Sequence, residues 1–374
     1  EWASSLFDPD LPGSVTHFFK TMSRGKLNVT AEIAPGYYEA SGYSSDYVAE
    51  KSTVRGDYAQ FSHEILKLAD EDIDFAQLTN NGPDGIPNSR DDNRYAEATF
   101  VILDRVPKNF LVGNATGIAS WGLYSDFVSK DLGTRKFEIR VSSNRVFVIQ
   151  GGSFNEASGV FSHEFGHLLG LPDLFNLDYA IFGGDTPKMD SAGIGAWGVM
   201  GWGALGWNGN DGPNSFTGWS LRELGWLDPI RPTSHVEDIT LDPVMVKGEV
   251  YEVLLPNGER FLIENRQREG TYYDRNIPGE GLLIWHEDPS ASGEQRLDLE
   301  CADGKWMSAG YPQGSSPDPM EGEDNLDYWA HDKKYSDAHM GNLGDATDPF
   351  DGVRFKAFTP KTNPDARSRD LNWG

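Results

Sequence analysis

The sequence predicts an α+β fold of 374 residues. A helix backed by a twisted sheet is expected within residues 1–228, with a β-rich part, residues 229–374, packed on it. Three observations predict this. Two apolar, strand-like segments precede a helical run near Gly159–Leu169. Alternating strand patterns separated by Pro- and Gly-rich turns begin after residue 228. A hydrophobic content of 38% with 42 glycines and 21 prolines describes a loop-rich globular chain that can bury a substantial core.

The charge balance narrows the partners. There are 58 acidic against 32 basic residues, a net charge of −26. Nucleic acid and anionic membrane surfaces are therefore poor partners, while divalent cations or a saline extracellular medium suit such acidity. Cys301 is the single cysteine, so no intrachain disulfide can form, and bound metal ions are the alternative staple. No apolar run of about 18 residues is present to span a bilayer. The chain opens at Glu1 without an initiator methionine or a signal peptide, which reads as a mature or trimmed chain.

In chain order, Ser14–Met22 is expected as a short helix after Pro12-Gly13, and Leu27–Ile33 alternates like a strand. Asp57–Leu68 places Tyr58, Phe61, Ile65 and Leu68 at helical spacing. His63-Glu64 lies within it, but Lys67 stands four residues on, so His63 is expected to be an ordinary surface or packing residue. From residue 72 to 93, oxygen-bearing side chains recur around glycines, the pattern of a loop that wraps Ca²⁺ with six to eight oxygens. The candidate ligands are Asp74, Asn80, Asp84, Asn88, Asp91 and Asp92. No glutamate closes the loop as in an EF-hand, and an acidic surface turn without an ion is the alternative. Ala98–Leu103 and Arg145–Gln150 look like buried strands, and Ser120-Trp121-Gly122 between them is a candidate cleft rim. The Asn155–Ala157 turn is expected to lead into the next helix.

That helix carries His163-Glu164-Phe165-Gly166-His167. Histidines four residues apart project from one helix face, one turn apart, as a single Zn²⁺ with about 2.0–2.1 Å bonds requires. Glu164 is rotated off that face and so stands beside the metal, placed to act as general base towards a water in the open position. Gly170 is suited to end the helix in a left-handed conformation, and Pro172 discourages its continuation. The return of the chain brings Asp173 in as third ligand. Glu223, on a later helix, is the rival for that place.

Beyond Asp173 the chain is glycine-rich as far as Gly212-Pro213, and Trp197, Trp202 and Trp207 either line a groove or pack on the site helix. Ser215–Leu224 is expected as a helix ending at Gly225, packing Trp219 and Leu224. Strands follow at Val236–Leu241, Glu249–Leu255, Arg260–Glu264 and Gly281–Trp285, with His286 just after the last in a structural role. The acidic cluster Gly344–Phe350 is a second calcium candidate or a metal-free turn, and the tail after Phe358 looks peripheral.

The stretches HEFGHLLGLPDLFN, GAWGVMGWG and LGWL, with FLIENRQ and PGEGLLIWH further on, resemble the M6 family of bacterial metallopeptidases, the immune inhibitor A-like group. The resemblance covers about residues 72 to 356 and implies a metzincin-like domain with Asp173 in place of a third histidine. It also implies that Met200 forms a methionine turn that supports the site, and it favours calcium in the Asp/Asn-rich loop. Metzincins often place a tyrosine near that turn, and none follows Met200 closely. The function implied is a secreted zinc endopeptidase, a monomer acting on protein or peptide substrates. A calcium-dependent binding protein built on a peptidase-like shell is the alternative, and an intact Glu164 speaks against it.

Overall fold

The computed structural model describes residues 4–47, 58–79, 93–104, 110–111, 116–118, 123–133, 136–176, 192–293, 296–304 and 343–369, with single positions 82, 86 and 89. It is a mixed α/β structure of small sheets and few helices. Helices α1 (Val15–Met22), α2 (Ser44–Tyr47), α3 (Tyr58–Ala69) and α4 (Phe154–Leu168) are joined by two short turns of helix, Gly218–Glu223 and Val244–Lys247. No helix among the described residues is long and apolar enough to cross a membrane.

The first 150 residues supply two three-stranded sheets. One has the order β1 (Tyr95–Ala96), β5 (Glu138–Val141), β4 (Phe127–Leu132); the other is β2 (Thr99–Leu103), β6 (Val146–Gln150), β3 (Gly117–Ile118). β2 runs parallel to β6, while β3 pairs with it antiparallel, Gly117 opposite Ile149. Alternation along β2 and β6 divides the interior, since successive side chains leave opposite faces. Phe100, Ile102 and Ile149 pack in the cluster that surrounds α4, whereas Val101, Leu103, Val146 and Val148 join the one built on α3. Rings of Phe100, Phe147, Phe161 and Phe165 stack across the first interface and seat α4 on the sheet.

Strands β7 (Val250–Leu254), β8 (Arg260–Arg266), β9 (Gly281–Glu287) and β10 (Leu297–Leu299) form an antiparallel meander. Leu262, Leu283, Trp285 and Leu297 lie in the same cluster as Phe161 and Met200, so the largest core is continuous across residue 228. On the other face, Phe261 and Ile284 pack with Phe350, Phe358 and Ala366. The tail is therefore not peripheral: Phe358 stands edge-on to Phe261 at 5.0 Å, and the Arg369 N–H donates to Glu259.

Two expected strands do not form. Residues 27–33 are irregular because only Val29 of the segment is buried, so alternation had no face to cover. Residues 236–241 likewise leave Val236 and Ile239 exposed. In α3 the buried stripe is Tyr58, Ala59, Ser62, Ile65, Leu66 and Ala69; Leu68 faces solvent instead. His63 is exposed and packs edge-on to Phe127. His286 lies within β9 rather than after it.

Candidate metal centre

Helix α4 begins one turn earlier than the sequence suggested. Ser153, in an extended conformation, caps it by accepting the Glu156 N–H, a Ser-x-x-Glu start directly after β6. The helix is gripped on one side by the phenylalanine stack and on another by the 198–205 loop. That loop comes so close that a Cβ on Gly159 would strike the Ala204 carbonyl, and one on Gly166 would strike Met200 Sδ. Two glycines seven residues apart thus let backbone and methionine press against the helix beside the histidines.

The helix ends in a Schellman turn. Gly170 has φ +99°, its N–H donates to the His167 carbonyl, and the Leu171 N–H reaches back to Gly166. The reversed chain is then pinned by the Leu174 N–H on the Met200 carbonyl at 2.9 Å. Asp173 is held between these two anchors.

Three atoms converge as a result. His163 Nε2 lies 3.2 Å from His167 Nε2 and 3.1 Å from Asp173 Oδ1, and His167 Nε2 lies 3.4 Å from the same oxygen. A tetrahedron with arms of about 2.0–2.1 Å has edges of about 3.3–3.4 Å, so the triangle has the size of three zinc ligands with one corner left over. Among the described residues this is the one His/Cys/Asp/Glu group compact enough to hold a metal.

The proton bookkeeping points the same way. His163 Nδ1 is 2.7 Å from the Val199 carbonyl, and His167 Nδ1 is 2.9 Å from the Leu171 carbonyl. A carbonyl only accepts, so both Nδ1 atoms carry hydrogen and the neutral rings turn lone pairs inward from Nε2. Two lone pairs and a carboxylate oxygen then face one another with no donor among them. Such a cluster needs a cation. Without a metal a proton is held instead: burial opposes the His163 cation, but the hydrogen bond and charge of Asp173 outweigh it and raise the group to about 9. Asp173 is disfavoured as an anion by burial, yet the two histidines hold it well below the usual carboxylate range.

Glu164 is 5% exposed and leans towards strand β3, where a Cβ on Gly117 would meet its Oε1. Its Oε2 is buried and has no hydrogen-bond partner, an expensive state for a carboxylate that carries nothing. Burial pushes Glu164 up, with the charges of His163 and His167 acting against it. On one flank Phe175 tilts against the His163 ring at 6.1 Å, and Trp202 packs on Phe175 at 5.2 Å.

Residues 113–229 match the family model of the immune inhibitor A peptidase M6 catalytic domain. Over that stretch the chain is similar to an M6 peptidase catalytic domain. No curated protein and no solved structure matches the chain significantly. The matched stretch contains the whole convergent group, and an M6 peptidase domain implies a metallopeptidase with protein or peptide substrates.

The other candidate residues separate cleanly. Met200 is fully buried against Gly166, beneath the helix. Glu223 is committed elsewhere, paired with Arg222 at 2.8 Å and near Arg296, outside the convergent group. Trp197 is fully buried and donates its Nε1–H to Asp348, while Trp207 stands edge-on to it. Packing, not groove lining, is the role of Trp197. His286 sits between Glu259 and Glu300 in the interior. Asp74 caps the 75–78 turn by accepting the Ala76 N–H; Asn80, Asp84, Asn88, Asp91 and Asp92 lie outside the described residues, as does the 120–122 rim. In the second acidic cluster, Asp345 accepts the Thr347 N–H and Asp348 accepts that of Asp345. The backbone carbonyls of Val199 and Leu171 were missed from sequence, since a carbonyl has no residue-type signature.

Proposed function

We propose that this chain is a secreted zinc-dependent endopeptidase in which His163, His167 and Asp173 hold the metal and Glu164 is the general base. The observation that carries the reading is the meeting of three acceptor atoms at 3.1–3.4 Å beside a buried, unpartnered carboxylate oxygen. Zinc bound there supplies a Lewis acid that polarises a carbonyl and lowers the pKa of water towards about 7. Glu164 takes a proton from the attacking water and returns it to the leaving amine. Its raised pKa suits both halves of that task, because a base poised nearer neutrality gives the proton back readily. Val199 and Leu171 keep the two imidazoles in the tautomer that offers Nε2. Met200 acts as a metzincin-like support, bracing the helix at Gly166 rather than ligating. The acidic surface accords with an extracellular setting and with calcium bound in the 74–92 loop.

Casein cleavage by the chain, run beside Glu164→Gln at equal zinc content, tests the reading. The variant is expected to keep zinc and lose activity by about 10²–10⁴-fold. Equal activity in the two proteins would sink the assignment of Glu164. A zinc-loaded chain that cleaves no protein would favour the binding-protein alternative.

A further inference from the structure

A buried arginine 99 residues beyond His167 in the chain is wired to the metal centre. Arg266, on β8, is fully buried with Glu264 and Asp274. Its Nη1 donates to the Trp197 carbonyl at 3.1 Å, and its Nη2 donates to Ser215 Oγ at 2.7 Å and to Asp274 at 2.5 Å. Ser215 in turn accepts the Val199 N–H on its carbonyl at 3.2 Å. The guanidinium therefore holds both chain segments that flank Val199, the residue whose carbonyl takes the His163 Nδ1 hydrogen. Its plane also lies over the Trp197 ring at 6.0 Å.

A buried charge cluster of this kind costs desolvation that apolar residues of the same volume would avoid. A fork of donors is nevertheless the one side-chain type that can hold a carbonyl, a hydroxyl and a carboxylate at fixed mutual angles. We propose that Arg266 is a positioning residue for the metal centre: through Trp197 and Ser215 it fixes the Val199 carbonyl, and so the orientation and tautomer of His163. This rests on the reading of His163, His167 and Asp173 as metal ligands. It makes the C-terminal sheet a working part of the site rather than an appended support.

The test uses the full chain and reads zinc affinity together with the visible absorption of its Co²⁺ form, neither of which requires turnover. Arg266→Lys loses the fork, and Ser215→Ala removes only the hydroxyl between Arg266 and Asp274. Arg222→Lys is the control, a mostly buried arginine (side chain 8% exposed) paired with Glu223, Glu252 and Glu287 rather than with Trp197 or Ser215. The expected result is about 10–100-fold weaker zinc binding and an altered Co²⁺ spectrum in Arg266→Lys. A smaller change in the same direction is expected in Ser215→Ala, with wild-type behaviour in Arg222→Lys. Should Arg266→Lys not fold, Ser215→Ala decides. Wild-type affinity and spectrum in folded Arg266→Lys or Ser215→Ala overturn the proposal, as does equal weakening in Arg222→Lys. Failure of the unsubstituted chain to bind zinc overturns the ligand reading itself, and this proposal with it; the other failures leave wild-type binding intact.

Discussion

His163, His167 and Asp173 form one histidine–carboxylate cluster in this chain, and His286, Glu259 and Glu300 form another. The second is buried and the first partly so, and both have contacts near 3 Å. The difference lies in what takes the second nitrogen of each ring. In the first cluster two backbone carbonyls use the Nδ1 hydrogens, so only acceptors look inward. In the second, His286 presents Nδ1 to Glu300 at 2.9 Å and Nε2 to Glu259 at 2.7 Å, so both ring nitrogens are already engaged within the cluster. Composition alone would rank these clusters together. The hydrogen bonds of the outer nitrogens tell a candidate metal centre from a closed hydrogen-bonded knot.

The sharpest way to break that contrast is His163→Ala. The loss of one of three ligands should abolish stoichiometric zinc in the purified chain and with it all peptidase activity, measured by metal analysis and casein cleavage. A variant retaining one zinc per chain would show that the ion is held elsewhere. For the other cluster, His286→Gln removes the ring whose two nitrogens bridge the buried Glu259 and Glu300. We expect about 3–5 kcal/mol of lost stability by denaturant titration, with zinc content unchanged. Loss of zinc in that variant would mean that the two clusters are coupled.

How far could this contrast be read before the fold was known? The ligand helix, the turn at Gly170 and the arrival of Asp173 were legible because all three are local. His-Glu-x-x-His states its own geometry on a helix, and a glycine followed by Leu-Pro predicts the reversal that the Leu171 N–H completes. β6 was legible as an unbroken apolar run because both of its faces are covered. The strands expected at 27–33 and 236–241 failed because alternation in sequence cannot say whether a partner surface exists. Neither the Val199 carbonyl nor the approach of Arg266 was legible, since both depend on segments brought together only in the folded chain. The calcium loop is a sequence pattern whose ligands, apart from Asp74, fall outside the described residues.

Two smaller effects sharpen the picture. In Gly166→Ala the new methyl meets Met200 Sδ, and overpacking there should cost about 1–3 kcal/mol by thermal or denaturant unfolding. Zinc should still bind, less tightly, because helix and methionine must move apart; unchanged stability would show that Met200 has room to shift. Glu223→Gln is expected to do least. Glu223 is itself exposed, so a stability change under about 1 kcal/mol and full zinc content are expected. A marked loss of zinc would return Glu223 to contention as third ligand.

The glycines at 159 and 166 carry a consequence for how the ligand helix exists at all. Each costs about 1 kcal/mol relative to alanine inside a helix, and α4 is only 15 residues long, near the length at which even favourable sequences are marginal in water. A peptide spanning 153–173 would contain every candidate metal-binding side chain and the proposed base, yet it would spend most of its time uncoiled. What the isolated segment lacks is the 198–205 loop that fills the space the two glycines leave open. The proposed ligands are inherited locally, but their rigidity is borrowed from contacts roughly thirty-four to forty-five positions downstream.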